Sequence, residues 1–272
     1  MTAAVLVRGA APAVRQRALP MAVAVLLVLT AIAYPLTSGA GRDAVSWTIV
    51  VLGACLSVLH AGLSRGTRMG AGLFATVTTA AVAFEAVGLA TGFPYGRYEY
   101  GDALGPTVLG VPFLVPLAWL MMAWPSWVLA DRLTRRVKSG RRAVVRVGVA
   151  AAVFAGWDVV LDPQMVQAGY WTWTHPEPGL PGIPTVPLTN LAGWLAAGVV
   201  VMTLLSLLVS RTSVADAPRI GDAAPLLVLA WMTLGGALAH AGWLGLPGSA
   251  AWGAGLAVPV LIALLVQQRA TR

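Results

Sequence analysis

The stretch AGLFATVTTAAVAFEAVGLATGF, residues 71–93, decides the fold. It is apolar over the length of about 20 residues that a helix needs to cross ~30 Å of hydrocarbon. It nevertheless carries Glu85 near its end. A second such stretch, VVRVGVAAAVFAGWDVVLDP at 144–163, carries Asp158. Each acid is followed 11 residues later by a glycine that opens a motif of alternating aromatics, Gly96-x-Tyr98-x-Tyr100 and Gly169-x-Trp171-x-Trp173. Gly110-Val111-Pro112 and Gly182-Ile183-Pro184 follow, at an offset of 72 residues against 73 at the acids. The spacing predicts a parallel internal repeat, about 71–130 and 144–209. A charged carboxylate in lipid costs several kcal/mol, so an acid inside a span marks a functional site by default. Two acids at matching places predict one site built from both halves.

Working outward, apolar runs recur along all 272 residues, 58% of which are hydrophobic and 10% charged. The composition predicts an all-α polytopic membrane protein forming a single domain over 1–272. Eight spans are expected: Leu19–Leu36, Val45–Leu63, Ala71–Ala90, Val111–Ala130, Val144–Leu161, Leu188–Val209, Ala223–Leu244 and Ala251–Val266. Barrel strands would be shorter and would alternate apolar with polar residues; these runs do not. Of 18 basic residues, 16 fall on one side of the eight-span arrangement: Arg8, Arg15, Arg17, Arg65, Arg68, the cluster from Arg132 to Arg146, Arg211, Arg219, Arg269 and Arg272. Only Arg42 and Arg97 fall on the other. The net charge of +8 therefore reads as an orientation signal with both termini cytoplasmic, and as contact with anionic lipid, not as a nucleic-acid surface. The first span resembles a signal peptide, with Ser38-Gly39-Ala40 as a cleavage-like triplet, but its length favours a retained anchor. Cys55, the single cysteine, lies within a span and excludes a disulfide framework.

This topology puts Glu85, Asp158, Asp162 and His240 in the outer part of the membrane, and His60 near the inner side. Asp158 and Asp162 stand one turn apart on one helix face. Asp162 also reads as a cap, because Pro163 should end the helix. His240 also reads as a packing histidine. Tyr95, Tyr98, Tyr100, Tyr170, Trp171 and Trp173 follow the acids at helix ends; they fit an interfacial belt, or a pocket whose ring faces stabilise a cation. His175 and Glu177 are expected at or beyond the outer surface. A Gly-rich phosphate loop, a His- or Cys-rich metal set and a Ser-His-Asp spacing are all missing from the sequence. An aspartate-rich diphosphate motif is missing too. What remains is acid–base chemistry in an apolar cavity, for which the natural substrate is a lipid and the natural reaction protonates a carbon–carbon double bond. Burial disfavours the charged form of a carboxyl and so lets it serve as a general acid. Asp158 or Glu85 is expected to deliver the proton, Asp158 being favoured because Asp162 lies beside it; the remaining carboxylate, with Asp162 or His240, would orient water.

Phe-Pro-Tyr-Gly-x-Tyr-x-Tyr (93–100), Gly-Val-Pro-x-x-Val-Pro-Leu-x-Trp (110–119), Trp-Asp-x-x-x-Asp-Pro-x-Met-Val (157–166), Gly-Tyr-Trp-x-Trp (169–173) and Gly-Ile-Pro with Asn190 and Gly193-Trp194 together resemble the integral-membrane carotenoid biosynthesis family that contains the carotenoid 1,2-hydratases. The resemblance covers roughly Glu85 to Trp194. It implies addition of water to the terminal double bond of an acyclic carotenoid end, without a redox cofactor or metal. It adds Asn190 and Trp194 to the substrate-binding residues. It also implies a lipid-soluble carotenoid substrate, residence in the plasma membrane and contact with other carotenoid enzymes. Two alternatives stay open: an end-group cyclase or isomerase, which would lose a proton instead of gaining water, and a carrier for a lipid or other apolar compound.

Overall fold

The computed structural model describes residues 4–212 and 220–269. Helices α1 (Ala4–Ala33), α2 (Gly39–Arg65), α3 (Thr67–Thr91), α4 (Leu114–Leu133), α5 (Ser139–Gln167) and α6 (Leu188–Arg211) lead to α7 (Ala223–Ala230). After α7 the chain stays helical through a π segment (Trp231–Gly235), α8 (Gly236–Ala239) and a second π segment (His240–Leu244), before α9 (Pro247–Arg269). Among the described residues seven helical stretches are long and apolar enough to cross a membrane; they contain six of the first seven expected spans and most of the fourth. The protein is an all-α integral membrane protein. The eighth expected span, Ala251–Val266, runs along α9, beyond those seven. Of the residues behind the predicted orientation, Arg219 and Arg272 lie outside the described residues.

The central helix is α4. Its apolar window is 78% buried, against 22–50% for the others, because it is apolar on all sides and so can be enclosed by protein. It packs on α2, α3, α5 and α7. Helices α3, α4, α5 and α6 form a closed ring in which each touches the next and α6 returns to α3. Pro125 sits inside α4 and has no N–H to give to the carbonyl of Met121, one turn back. The hydroxyl of Ser57 on α2 donates to that carbonyl at 3.1 Å. Away from water, a neighbouring hydroxyl is how a proline-broken helix regains its hydrogen bond.

Two expected boundaries are corrected. The fourth span was to begin at Val111, but Val111–Pro112 forms strand β3, which pairs with β2 (Thr107–Val108), and α4 starts at Leu114. The fifth was to stop at Asp162–Pro163, yet α5 continues through Pro163 to Gln167. Packing overrides the proline, since Asp162, Pro163 and Met165 are all buried. The stop comes at Gly169, whose φ of +76° is a left-handed conformation that favours glycine. Gly92, with φ +78° and its N–H bonded to Gly88 O, ends α3 in a similar way.

The two aromatic motifs are strands, and they pair with each other. Strand β1 (Tyr98–Tyr100) runs antiparallel to β4 (Trp171–Trp173), with Tyr98 opposite Trp173, Tyr100 opposite Trp171 and Glu99 opposite Thr172. Side chains alternate across a strand, so the four rings turn inward over the ring of helices while Glu99 and Thr172 stay exposed. A hairpin of β5 (Gly179–Leu180) and β6 (Ile183–Pro187) packs on Val159 of α5 and is held by the Trp252 indole donating to Pro181 O. His175 and Glu177, in the loop before β5, are exposed.

Ser57→Ala should lower stability by about 1–3 kcal/mol, because it strands a buried carbonyl acceptor. Denaturant unfolding in detergent checks this, with Ser64→Ala, a hydroxyl bonded only within its own helix, as the near-neutral comparison.

Candidate active site

The acids are held by donors from other elements. Glu85 on α3 is 5% exposed. Its Oε2 accepts the phenol O–H of Tyr98 at 2.5 Å and of Tyr100 at 2.7 Å, both from β1. Two donors on one oxygen suit a carboxylate acceptor. Trp119 on α4 lines the same cavity as Glu85, and its buried indole N–H has no hydrogen-bond partner among the described residues. On α5, Asp158 and Asp162 are both buried. Asn190 on α6 gives its amide N–H groups to the two of them, at 3.0 Å to Asp158 Oδ2 and 2.5 Å to Asp162 Oδ2. The Trp171 indole on β4 donates to Asp162 Oδ1 at 3.2 Å. Oδ1 of Asp158 is buried with no partner among the described residues. A proton shared by the two carboxyls would supply the missing donor.

Glu85 and Asp162 line one small cavity of about 40 Å³, together with Asn190, Tyr95, Tyr98, Tyr100, Trp171 and Trp173. That is room for roughly one water molecule, whose share of liquid volume is ~30 Å³. The inner wall is a cluster of aromatic rings: Trp119 and Trp194 lie 4.7 Å apart between centroids, and Phe154 is 5.1 Å from Trp194 and 5.6 Å from Trp119. The four strand rings close the opposite side, at 5.5 Å for Tyr98–Tyr100 and 6.0 Å for both Tyr100–Trp171 and Tyr98–Trp173. Burial, reinforced by the charge of Glu85, pushes the phenols of Tyr98 and Tyr100 far above their ordinary range. Burial does the same to Tyr95. All three therefore stay protonated donors throughout the physiological range.

A much larger apolar cavity, about 360 Å³, adjoins the small one. Ala118, Trp157, Leu161 and Trp171 belong to the walls of both. A third, of about 500 Å³, opens between α5, α7 and α9 and also reaches Trp157. Among the described residues no group of three or more His, Cys, Asp and Glu side chains is placed to hold a metal ion.

Most of the residues singled out in the sequence meet here: Glu85, Asp162, Tyr95, Tyr98, Tyr100, Trp171, Trp173, Asn190 and Trp194 line the small cavity. Asp158 stands behind it, joined through Asn190. Two residues lie elsewhere. Tyr170 lines the large cavity and donates to Asp43 Oδ1 at 2.7 Å, its phenol pushed up to about 12 chiefly by burial. His240 is fully buried, bonded to Ser249 Oγ at 2.6 Å and Gln164 Oε1 at 3.0 Å. His60 accepts the Trp124 indole N–H and reaches Gly221 O, far from the acids in the packing of α2 on α4. Trp119 was missed in the sequence. Its signal was available, because Pro116-Leu117-Ala118-Trp119 matches Pro187-Leu188-Thr189-Asn190. Trp119 thus faces Glu85 from the helix after its strand, as Asn190 faces Asp158.

Residues 45–267 match the family described as carotenoid biosynthesis protein. The bisanhydrobacterioruberin hydratase of Haloarcula japonica is 34% identical over 197 residues, covering 70% of this chain and 63% of that protein. The phospho-N-acetylmuramoyl-pentapeptide-transferase of Thermosynechococcus vestitus is 31% identical over 124 residues, 45% of this chain and 29% of that protein. The chain thus matches less than two thirds of the length of either relative. No solved structure matches. The chain belongs to the carotenoid biosynthesis protein family.

Asn190→Leu should destabilise the protein by about 2–4 kcal/mol, since it strips donors from two buried carboxyls. In a double-mutant cycle with Asp158→Leu the two losses should fail to add by more than about 1 kcal/mol. Additive losses in detergent unfolding would mean that the amide does not hold the pair.

Proposed function

We propose that this member of the carotenoid biosynthesis family is an enzyme that adds water across the terminal double bond of an acyclic carotenoid end group, without a redox cofactor. The observation that carries the reading is the meeting of Glu85 and Asp162, from two different helices, in a water-sized aromatic cavity beside a long apolar one. The name of the Haloarcula relative supports it. The polyene lies in the large cavity and presents its end past Ala118 and Leu161. Asp162, paired with Asp158 through Asn190, gives its carboxyl proton to the inner CH carbon of the terminal double bond. The π electrons form the new C–H bond and leave a tertiary cation. The surrounding rings face that cation, each worth ~0.5–2 kcal/mol when desolvated. A water oxygen bonds to the cationic carbon as its proton passes to Glu85. Return of that proton to Asp162 leaves the enzyme unchanged and the product one water heavier. Asp158, first choice as acid from the sequence, here keeps the shared proton in place for Asp162.

The reading extends to origin and orientation. Segments 71–130 and 144–209 are two copies of one unit related by a half-turn near the membrane normal. The closed order α3–α4–α5–α6 supports this, as does a ribbon in which Tyr98 faces Trp173 and Tyr100 faces Trp171. The distribution of basic residues supports placement in the plasma membrane with both termini cytoplasmic. The substrate and the membrane lipid are the expected partners, with contact to other carotenoid enzymes.

Expression in cells that make an acyclic carotenoid, followed by mass analysis of extracted pigment, tests the activity. A product heavier by one water is expected. A new product of unchanged mass would replace the reading with cyclisation or isomerisation, and no new product would favour a carrier. Asp162→Asn and Asp158→Asn should each cost ~10²–10⁴-fold in rate, the usual loss for a positioned general acid. Trp171→Leu should cost less, because only part of the cation's environment goes. Undiminished hydration by Asp162→Asn, Asp158→Asn and Glu85→Gln together would overturn the mechanism.

A further inference from the structure

Several polar groups around the small cavity are committed within the protein. Tyr98 and Tyr100 give their hydroxyl protons to Glu85. Trp171 and Asn190 bond the aspartates, and the Trp173 indole bonds Tyr95 O. Two are not committed. The Tyr95 hydroxyl and the Trp119 indole N–H belong to side chains that line the cavity and are 2% and 1% exposed. Neither has a hydrogen-bond partner among the described residues. A buried polar group without a partner is costly, and in a folded protein it calls for a ligand or a function.

Both side chains are fixed in place. The Tyr95 ring is clamped between two glycines. A Cβ at Gly88 on α3 would come 2.9 Å from Cδ2 of the ring, and one at Gly193 on α6 would come 2.7 Å from Cδ1. Trp119 packs on Trp194 at 4.7 Å between centroids and on Phe154 at 5.6 Å. The sequence shows why its N–H is unspent. Trp119 aligns with Asn190, each three residues after the proline of a Pro-Leu pair. Asn190 bonds the two aspartates. Glu85 is bonded by phenols from β1 instead, and both of them donate to Oε2. The donor at position 119 is thus left over, and Glu85 Oε1 remains to accept from a ligand.

We propose that Trp119 and Tyr95 hold the attacking water, and thereby decide that the cation is hydrated and not merely deprotonated. This rests on the hydratase reading. The cavity of about 40 Å³ has room for one water. An indole N–H can only donate, whereas a phenol oxygen can also accept. Trp119 therefore donates to one lone pair of the water oxygen. One O–H of the water goes to Glu85 Oε1 and the other to the Tyr95 oxygen. Three partners is the usual number for a buried water. The second lone pair stays free and forms the C–O bond, while the proton facing Glu85 passes to it. Without these contacts the cation has another outcome. The electrons of a neighbouring C–H bond form a π bond again, and that proton goes to a carboxylate. Proton loss is the course of a cyclase or isomerase, so these two side chains separate the two kinds of product.

The test reads the fate of the cation, not the rate at which it forms. Membranes holding the full chain are given an acyclic carotene in D₂O, and the extracted pigment is analysed by mass. Capture by water gives a hydrated product. Proton loss gives carotene that has taken up deuterium without gaining water. Tyr95→Phe and Trp119→Phe should each lower the ratio of hydrated to deuterated, unhydrated carotenoid roughly three- to tenfold, the range of one net neutral hydrogen bond. A loss of folding or of substrate binding would reduce both products together and leave the ratio unchanged. If Trp119→Phe does not accumulate, benzothienylalanine at position 119 keeps the shape of the ring system and removes only the N–H. Hydration by the unmutated protein with the same ratio in every variant overturns this proposal alone. No hydrated product from the unmutated protein overturns the hydratase reading and this proposal with it.

Discussion

The cost of a carboxyl group away from water governs the rest of this architecture. Glu85, Asp158 and Asp162 lie inside apolar helices, and none of those helices can satisfy them. Their donors come from elsewhere: Tyr98 and Tyr100 on β1, Trp171 on β4, Asn190 on α6. Each such bond ties a helix to an element distant in sequence. The β1–β4 ribbon forms where the chain must return its aromatic residues to the acids it has just left. It pairs edge to edge because two isolated extended segments would otherwise leave backbone groups unsatisfied. The acids thus act as local organisers of the fold.

The sequence made the membrane class, the acids and the aromatic motifs legible, because each depends on local pattern: apolar length, a charge inside it, glycine followed by alternating rings. What it hid depends on contacts between distant residues. Alternation at Tyr98-x-Tyr100 and Trp171-x-Trp173 is a strand signal, but nothing local says that the two strands pair with each other. Pro163 reads as a helix stop, and on local grounds it should be one. The buried packing of Met165 carries α5 another turn, and this brings Gln164 into the wall of the large cavity. His240 looked like a member of the acid cluster because it shares the same depth. Depth is one coordinate, and the angle around the bundle, which hydropathy does not encode, puts it against Gln164 and Ser249 instead.

The two halves also differ in a way that their common motif conceals. The first half has one acid and two phenols, and both phenol protons point at Glu85. The second has two acids, and its indoles are divided, Trp171 bonding Asp162 while Trp173 bonds Tyr95 O. Leu89 stands 73 residues before Asp162, where the second acid would be in a symmetric site. One half therefore holds a single acceptor with two hydroxyl donors, and the other a pair of carboxyls with fewer donors than oxygens. On the hydratase reading those are the environments that a base and an acid respectively need.

The same asymmetry bears on access. A cavity of about 40 Å³ holds a water but not a branched hydrocarbon end, so the wall shared with the large cavity has to yield. Of its members, Ala118 has nothing to move and Trp157 is packed between the cavities with 1% exposure. Ala118, Leu161 and Trp171 are only partly buried, and of these Leu161 and Trp171 have side chains that can move aside. Trp171 is also the residue that hydrogen-bonds the cavity-facing acid. On the hydratase reading, displacing its ring to admit the chain end would take a donor away from Asp162 as the double bond arrives. A carboxyl with one donor fewer is stabilised less as an anion, which would favour its protonated form until the double bond reaches it. On that reading access to the acid and its protonation would be linked, because one side chain serves as both wall and hydrogen-bond donor.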